Sequence, residues 1–253
     1  MARYTSAPQA GITNTGLDRF FRAKCRHPEC CAFTPNISTR SRLTTPSIAY
    51  LRPPLSKTWC RETPPGFCFA VKASRYITHN RKLNDPEQST EKFMHVVRKL
   101  ERRLGPILFQ LPPSWKLNLE RLENFLSGLP QHHRYAFEFR NPTWNVAEVY
   151  EVLGRHNAAY CIYELAGLQS PIHTTADFAY VRLHGPGTNK YQGDYSKKVL
   201  EAWTERIAAW TLELKDVFVY FDNDQSGFAA KNALELKKMM NKGGRAAKPR
   251  KAA

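Results

Sequence analysis

The sequence has no apolar run of about eighteen residues, which is the length that a membrane-spanning helix requires. Its first residues also lack the apolar segment of a secretory signal. These absences exclude a membrane-spanning class and lead us to expect a cytoplasmic protein without a membrane partner. The 253 residues, 42% hydrophobic and 24% charged, are enough to bury one large core, and single α/β barrels commonly have this size.

The cysteines form no standard structural pattern. Six occur in a chain without an export signal, so we expect them to be reduced. Cys68 and Cys161 lie in apolar, strand-like runs, where a thiol behaves as a small hydrophobic group. Residues 25–31 contain three cysteines and a histidine in the spacing C-x-H-x-x-C-C. Because this is not a standard zinc spacing, a zinc centre is the less favoured interpretation.

Acidic residues are too few to balance the basic ones, and the formal net charge is +16. Residues 1–58 hold nine Lys or Arg and two acidic residues, and residues 237–253 hold seven Lys or Arg and no acidic residue. The intervening residues hold 22 basic and 20 acidic side chains and are nearly balanced. We interpret the two ends as solvated, poorly ordered tails, with nucleic-acid binding as the alternative.

Strands and helices alternate regularly along residues 59–241, which we predict to form the barrel domain between an atypical segment at 1–58 and a basic, disordered tail at 242–253. Short apolar runs predict strands at Phe67–Ala73, Ile107–Leu111, Tyr135–Arg140, Ala158–Glu164, Phe178–His184 and Val217–Asp222. Amphipathic patterns predict helices at Pro86–Leu104, Leu119–Leu129, Asn145–Arg155, Ser196–Leu214 and Gly227–Asn241. Asp85 is the predicted N-cap of the first helix, and Gly105 with Pro106 is predicted to end it. This alternation predicts an α/β fold, namely a TIM-type (β/α)8 barrel that is incomplete, with six recognisable βα units.

Five motifs occur in order along the predicted barrel. They are FCFAVKASRYITH, ILFQLPPSW, YAFEFRNPTW, YVRLHGP and VYFDNDQSGFAAKNA, which begin at residues 67, 107, 135, 180 and 219. Together they closely resemble the YecE-like family, DUF72. The resemblance implies a TIM-type barrel without an established family activity, loosely akin to the sugar isomerase and apurinic endonuclease barrels.

Two strands that the resemblance implies are missing from residues 1–58. Family members usually open with a GTSGWSY-like strand and a later VEINSTFY-like strand, and neither occurs here. The fragment AYLRPPLSKTW, Ala49–Trp59, is similar to the segment that follows the second strand. We therefore expect that the preceding residues come from a shifted reading frame or a wrong start. A barrel that does not close leaves an exposed parallel edge, so an inactive truncated product is one alternative.

Side-chain alternation within each strand predicts which residues point into the barrel. Phe137 and Phe139 are expected to face the helices, so Glu138 and Arg140 point inward. The same parity places six polar side chains near the carboxyl ends of four strands: Lys72, Gln110, Glu138, Arg140, Arg182 and His184. A purely structural core would use Val, Ile or Leu there, because unpaired interior charges cost several kcal/mol. We interpret this set as a ligand or catalytic site, with a buried salt-bridge network as the alternative.

The loop of sequence HGPGTNKYQGDY follows the strand that would be the seventh of a full barrel. Loops after the seventh and eighth strands of TIM barrels often bind phosphate, and free amides at the start of the next helix, at Ser226 and Gly227, would add to such a pocket. The candidate ligand-binding residues of the loop and of the last strand's end are Gly185, Gly187, Tyr191, Tyr195, Asn223 and Asp224.

The leading hypothesis is an enzyme that acts on a phosphorylated or otherwise anionic ligand. Lys72, Arg140 and Arg182 would hold negative charge, with Gln110 as a further ligand contact. Glu138 or His184 would be the catalytic general acid or base. By analogy of fold, phosphodiester hydrolysis ranks before a sugar-phosphate isomerase or lyase. The alternative from another class is a non-catalytic protein that binds nucleic acid or another anion.

No cofactor is indicated with certainty. A divalent metal held by Glu138, His184 and Asp222 fits the ligand types that Mg²⁺, Mn²⁺ or Zn²⁺ prefer, although the neighbouring cations argue against it. The sequence leaves the oligomeric state open.

Overall fold

The structure is a computed structural model that describes residues 42–43 and 67–246, with side chains described as far as residue 241. The strands in this part of the chain are β1 (Arg42–Leu43), β2 (Phe69–Lys72), β3 (Leu104–Gln110), β4 (Tyr135–Glu138), β5 (Ala159–Leu165), β6 (Leu168–Gln169), β7 (Phe178–Leu183) and β8 (Asp216–Phe221). The α-helices are α1 (Pro86–Val97), α2 (Leu119–Ser127), α3 (Ala147–Arg155), α4 (Lys197–Glu213) and α5 (Phe228–Ala246). A π-helical turn lies at Tyr76–Asn80, and 3₁₀ turns lie at Arg98–Arg103, Pro142–Trp144 and Gln225–Gly227.

Six parallel strands form a curled half-barrel in the order β2, β3, β4, β5, β7, β8. β1 pairs in parallel with the outer side of β8, and β6 turns back to pair antiparallel with β5. Neighbouring strand ends lie at the same level, as Gln110 of β3 is in register with Glu138 of β4. The predicted α/β class and its six βα strands are confirmed. In the described residues the architecture is a half-barrel and not a full TIM barrel.

The two faces of the sheet bury different sets of side chains. Ala136 of β4 and Tyr180 of β7 belong to the cluster inside the half-barrel, whereas Phe137 and Val181, one residue further along, pack in the larger cluster between sheet and helices. Burial of each large apolar side chain contributes about 1.5–3 kcal/mol, so this alternation fixes which face each strand turns inward. The predicted outward orientation of Phe137 and Phe139 is confirmed.

Short polar side chains begin two of the helices. The side-chain oxygen of Asn118 accepts a hydrogen bond from the backbone N–H of Arg121 at 2.9 Å at the start of α2, and Ser196 acts in the same way at the start of α4. Asp85 precedes α1 as predicted, but its side chain makes no capping bond and instead forms an ion pair with Arg81. Its backbone is left-handed, with φ of 48°.

The predicted helix at Pro86–Leu104 is confirmed only in part: α1 ends at Val97, 3₁₀ turns continue to Arg103, and Gly105 and Pro106 lie inside β3. A β-carbon on Gly105 would overlap the Sγ atom of Cys68, which directly precedes β2, so the missing side chain lets β2 and β3 approach each other. Glycine here serves strand packing and not helix termination.

The last helix, α5, ends at Ala246 and not at Asn241 as predicted. Within residues 42–43 and 67–246, we find no helix with the length and apolar character needed to cross a bilayer. The predicted boundary at residue 58, the cysteine- and histidine-containing segment 25–31 and the shifted-frame hypothesis all fall outside the described residues.

Candidate ligand site at the carboxyl ends of the strands

The structure brings the six predicted inward residues together at the carboxyl ends of the strands. Lys72, Gln110 and Glu138 are the last residues of β2, β3 and β4, and Arg182 lies near the end of β7. His184 and Asp222 follow β7 and β8 directly. We call the buried or largely buried residues that bond to one another, Glu138, Arg140, Arg182, His184 and Asp222, the deep layer, and the partly exposed Lys72 and Gln110 the mouth layer.

The deep layer is an ion-pair network centred on Glu138. One carboxylate oxygen of Glu138 is bonded by Nε of Arg140, and the other accepts a hydrogen bond from Nη1 of Arg182 at 2.6 Å. The second terminal nitrogen of Arg182 lies 2.8 Å from Oδ2 of Asp222. Arg182 therefore bridges the two carboxylates. Both oxygens of Glu138 are occupied by guanidinium groups.

The two arginines decide the charge state of Glu138. Burial by itself would raise the pKa of this carboxyl, but the charges of Arg182 and Arg140 outweigh burial and hold the pKa well below its usual range. Burial would lower the pKa of Arg182, and here Asp222 and Glu138 outweigh it and raise the pKa. Glu138 is therefore ionised and Arg182 charged at neutral pH.

His184 is buried and neutral. Burial and the charge of Arg182 lower the pKa of its imidazole to about 3. Its Nε2 lies 3.2 Å from a terminal nitrogen of Arg140, which can only donate, so Nε2 is the acceptor and the proton resides on Nδ1. Nδ1 lies 3.4 Å from Oδ2 of Asp222. In this geometry neither His184 nor the doubly bonded Glu138 is well placed to exchange a proton with a ligand, so their acid–base roles stay predictions.

Lys72 differs from the other cations of the cluster. Its Nζ donates a hydrogen bond of 2.6 Å to the side-chain oxygen of Gln110, and it forms no ion pair within the described part of the chain. Burial, followed by the charge of Arg182, lowers its pKa to about 8. Three cationic side chains, of Lys72, Arg140 and Arg182, thus face two carboxylates, of Glu138 and Asp222. The cluster of described residues carries an excess positive charge.

The loop after β7 folds over His184. The backbone N–H of Tyr191 donates to the carbonyl oxygen of His184 at 2.8 Å, and the two rings meet edge to face with centroids 5.3 Å apart. Gly185 has φ of 112°, and a β-carbon there would overlap the backbone oxygen of Gln192. Only glycine accepts this conformation and this contact without strain. Tyr191 is 43% exposed and covers His184 of the deep layer.

Two predicted ligand-binding residues instead hold this loop from beneath. The hydroxyl of Tyr195, which is buried, accepts a hydrogen bond of 3.0 Å from the backbone N–H of Gly185. The amide of Asn223, also buried, donates to the carbonyl oxygen of Gly193 and to the side-chain oxygen of Asn232, each at 2.8 Å. Their contacts support a positioning role, and direct ligand contact by either one stays a prediction.

Other predicted residues lie apart from the ion-pair network. Gly187 and Asp224 are exposed. The backbone N–H groups of Gly227 and Ala229 donate to the carbonyl oxygens of Asp224 and Asn223, at 3.2 and 3.1 Å. These two amides are therefore already used, which weakens the expectation that the start of α5 offers a set of free N–H groups.

Sequence reasoning did not include two neighbours of the cluster among the candidate site residues. Asp222 was considered only as a metal ligand, yet it joins Arg182 to His184. Tyr163 of β5 presents its ring face to the guanidinium of Arg140, with 4.6 Å between the ring centroid and the guanidinium carbon. Strand parity applied to β5 would have found Tyr163, because it lies two residues after the inward Cys161.

The cluster does not resemble a metal centre. In the part of the chain that the structure describes, no group of three or more His, Cys, Asp or Glu side chains is arranged to hold a metal ion. Glu138, a proposed metal ligand, already has an arginine on each oxygen. The hypothesis of a metal at Glu138, His184 and Asp222 thus finds no support in this arrangement.

The fold and the site define a class of protein: an α/β half-barrel of parallel strands with a charged, largely buried cluster where the strands end. A family profile described as "Protein of unknown function DUF72" matches residues 49–253. The chain belongs to this family, which confirms the YecE-like resemblance.

Relatives and solved structures agree with this assignment. The chain is 25% identical to the UPF0759 protein YunF of Bacillus subtilis (strain 168) over 219 residues, which cover 72% of this chain and 76% of YunF. It is also similar to the crystal structure of a DUF72 family protein, TM1631, from Thermotoga maritima MSB8, with a TM-score of 0.68 and 30% identity over 80% of this chain and 85% of that one. A DUF72 family protein, EF0366, from Enterococcus faecalis V583 shares the fold, with a TM-score of 0.68 at 18% identity over 87% of this chain and 94% of that one.

Proposed function

We propose that the protein binds a small anionic ligand, with a phosphate group as the best match, at the mouth layer of the half-barrel. The observation that carries the proposal is the excess of one cation: Lys72 lies in the mouth layer without an ion-pair partner among the described residues. A partly desolvated cation attracts an anion much more strongly than one in water. Because Lys72 is partly exposed, a ligand at the mouth can reach it.

Binding is better supported than the reactions that the sequence suggests. Phosphodiester hydrolysis and sugar-phosphate isomerisation both require a proton-transfer group, and Glu138 and His184 are engaged with arginines inside the deep layer. Those two reactions therefore remain hypotheses from fold analogy. The deep layer supports a different role, in which Glu138 and Asp222 fix the guanidinium of Arg182 beneath the ligand.

Calorimetric titration with inorganic phosphate, at constant ionic strength, tests the proposal. Lys72→Gln is expected to weaken phosphate binding by about 10- to 100-fold, because a hydrogen bond to a charged group is worth about 1.5–3 kcal/mol. Lys215→Gln is the matched control: it removes the same charge at the opposite end of the barrel, where Lys215 pairs with Asp177. An equal loss of phosphate affinity in the two variants would mean that binding depends on the overall positive charge and not on Lys72. That result would overturn the proposal.

Nucleic-acid binding by the basic end of the chain is the alternative, and the observation that favours it is the run of basic residues after Ala246. Changing Lys248, Arg250 and Lys251 together to Gln is expected to leave phosphate affinity unchanged. Loss of phosphate binding in this triple variant, together with retention in Lys72→Gln, would favour binding by the basic tail over binding at the mouth layer.

A cytoplasmic location stays a prediction from the sequence.

A further inference from the structure

Lys72 has the setting of a reactive amine. Arg140 and Arg182 are each held by a carboxylate, whereas the one hydrogen bond of Lys72 within the described residues goes to the neutral amide of Gln110. That bond, of 2.6 Å, orients Nζ without supplying a negative charge that would stabilise the ammonium form. The side chain is half-buried at the mouth, so a ligand has access to it.

We infer that Lys72 is a nucleophile that forms an imine with an aldehyde or ketone carrying a phosphate or carboxylate group. This inference rests on the proposed anion site, because it assigns a substrate class to that same site. The lone pair of the neutral amine attacks the carbonyl carbon, a C–N bond forms, the carbonyl π bond breaks, and one proton moves through solvent from nitrogen to the carbonyl oxygen to give a carbinolamine. Loss of the hydroxyl group and one proton from nitrogen, together as water, leaves a C=N bond. Amine and carbonyl thus give imine and water, with no oxidant or reductant.

The groups facing Lys72 favour its neutral form. Among the described residues they are Gln110 of β3, Glu138 at the end of β4, Arg140 just beyond it, Arg182 of β7 and Asp222 after β8. Burial and the two arginines lower the pKa of Lys72, the two carboxylates raise it, and the balance is a pKa of about 8. At pH 7 about a tenth of such a lysine is neutral, compared with well under a thousandth for an exposed lysine of ordinary pKa. A desolvated lysine next to other cations is a known way to activate an amine.

The arrangement also keeps its charge after the step. A protonated imine on Lys72 carries the same positive charge as the ammonium group, so the ligand's anionic group still faces three cations and two carboxylates. Glu138 and Asp222 remain paired with the arginines throughout. The deep layer therefore needs no rearrangement for the imine to form.

Pyridoxal 5′-phosphate is a suitable probe, because it joins an aldehyde to a phosphate group. The intact protein is incubated with it at pH 8, reduced with sodium borohydride, and digested, and the modified lysines are quantified by mass spectrometry. We expect Lys72 to be modified at least tenfold faster than Lys215, which is largely exposed at the other end of the barrel. Inorganic phosphate should slow the modification of Lys72, and Lys72→Arg should abolish it while Lys215 is modified as before.

The outcomes separate this inference from the proposed function. If phosphate binds but Lys72 is modified no faster than Lys215, the imine is wrong and the anion site stands. If pyridoxal, which lacks the phosphate, modifies Lys72 as fast as pyridoxal 5′-phosphate and inorganic phosphate gives no protection, the amine is reactive but the anionic substrate class is wrong. The comparison of Lys72 with Lys215 uses the wild-type protein, so it does not depend on the folding of a variant.

Discussion

Arg182→Met is expected to lower the free energy of unfolding by about 3–5 kcal/mol, the usual cost of removing one partner from a buried ion pair. Arg182 is nearly fully buried and is the residue that bridges Glu138 and Asp222. Among the described residues, Glu138 then keeps the ion pair with Arg140 and a long hydrogen bond from Sγ of Cys161, and Asp222 keeps the neutral His184. Urea denaturation at pH 7, followed by circular dichroism, measures the change.

The matched control is Lys72→Met, which removes a cation from the same cluster but breaks no ion pair of the described residues. Its expected effect is close to zero or slightly stabilising, since burial already disfavours the ammonium form of Lys72. A loss in Lys72→Met as large as that in Arg182→Met would mean that the two cations are equivalent and would refute the two-layer description.

The Arg182→Met effect should also depend on pH in a definite direction. The pKa of Glu138 is lowered in the folded protein, so its ion pairs contribute stability above the unfolded pKa of about 4.3, and this contribution is lost as pH falls through the folded pKa. The difference between wild type and variant should therefore be largest near neutral pH and should shrink below about pH 4. A difference that grows on acidification would contradict this assignment.

Gly185→Ala is expected to cost about 2–5 kcal/mol and to abolish phosphate binding. The substitution combines two penalties: φ of 112°, which side chains rarely adopt, and overlap of the new β-carbon with the backbone oxygen of Gln192. Backbone strain of this kind costs about 1–3 kcal/mol and forced packing a similar amount. The loop must then move away from His184 and from the mouth. Thermal denaturation and phosphate titration measure the two effects.

Two other glycines separate the causes. Gly167→Ala retains the strain of a positive φ, 77°, but its β-carbon would meet no atom within 4 Å, so we expect a smaller loss of stability and normal phosphate binding. Gly187→Ala lies in the same loop as Gly185 without a positive φ, and the nearest atom to its β-carbon would be the backbone nitrogen of Asn189 at 4.0 Å. It should be almost neutral. Loss of phosphate binding in Gly187→Ala as well would mean that loop position, and not the Gly185 contact, governs the site.

Strand parity explains why so much of the cluster could be predicted from the sequence. At the carboxyl ends of β4 and β7 an apolar residue alternates with a charged one, as in Phe137–Glu138 and Val181–Arg182, and burial of the outward apolar set leaves one orientation for Glu138 and Arg182. Such alternation is a local property that the sequence displays directly. The convergence of several strands at one edge then follows from their parallel order.

The features that could not be predicted depend on contacts between distant segments. Nothing local distinguishes a glycine that ends a helix from Gly105, which lets β2 and β3 approach each other. Tyr195 and Asn223 have the chemistry of ligand-binding residues, and only the folded loop shows that their polar atoms bond to Gly185 and Gly193. Which partner each interior charged side chain bonds to also depends on the assembled half-barrel. The bond between Lys72 and Gln110 is an example.

The ionisation of Lys72 tests the central claim most directly, namely that the described residues of the site include one cation more than their carboxylates can pair. Its pKa can be measured by NMR of selectively labelled lysine side chains, with Lys72→Arg to assign the signal, in the absence and presence of sulfate, whose charge is constant above pH 6. We predict a pKa of about 8 without sulfate, and a higher value with it because a bound anion stabilises the ammonium form. An ordinary value of about 10.4 that sulfate leaves unchanged would contradict the account.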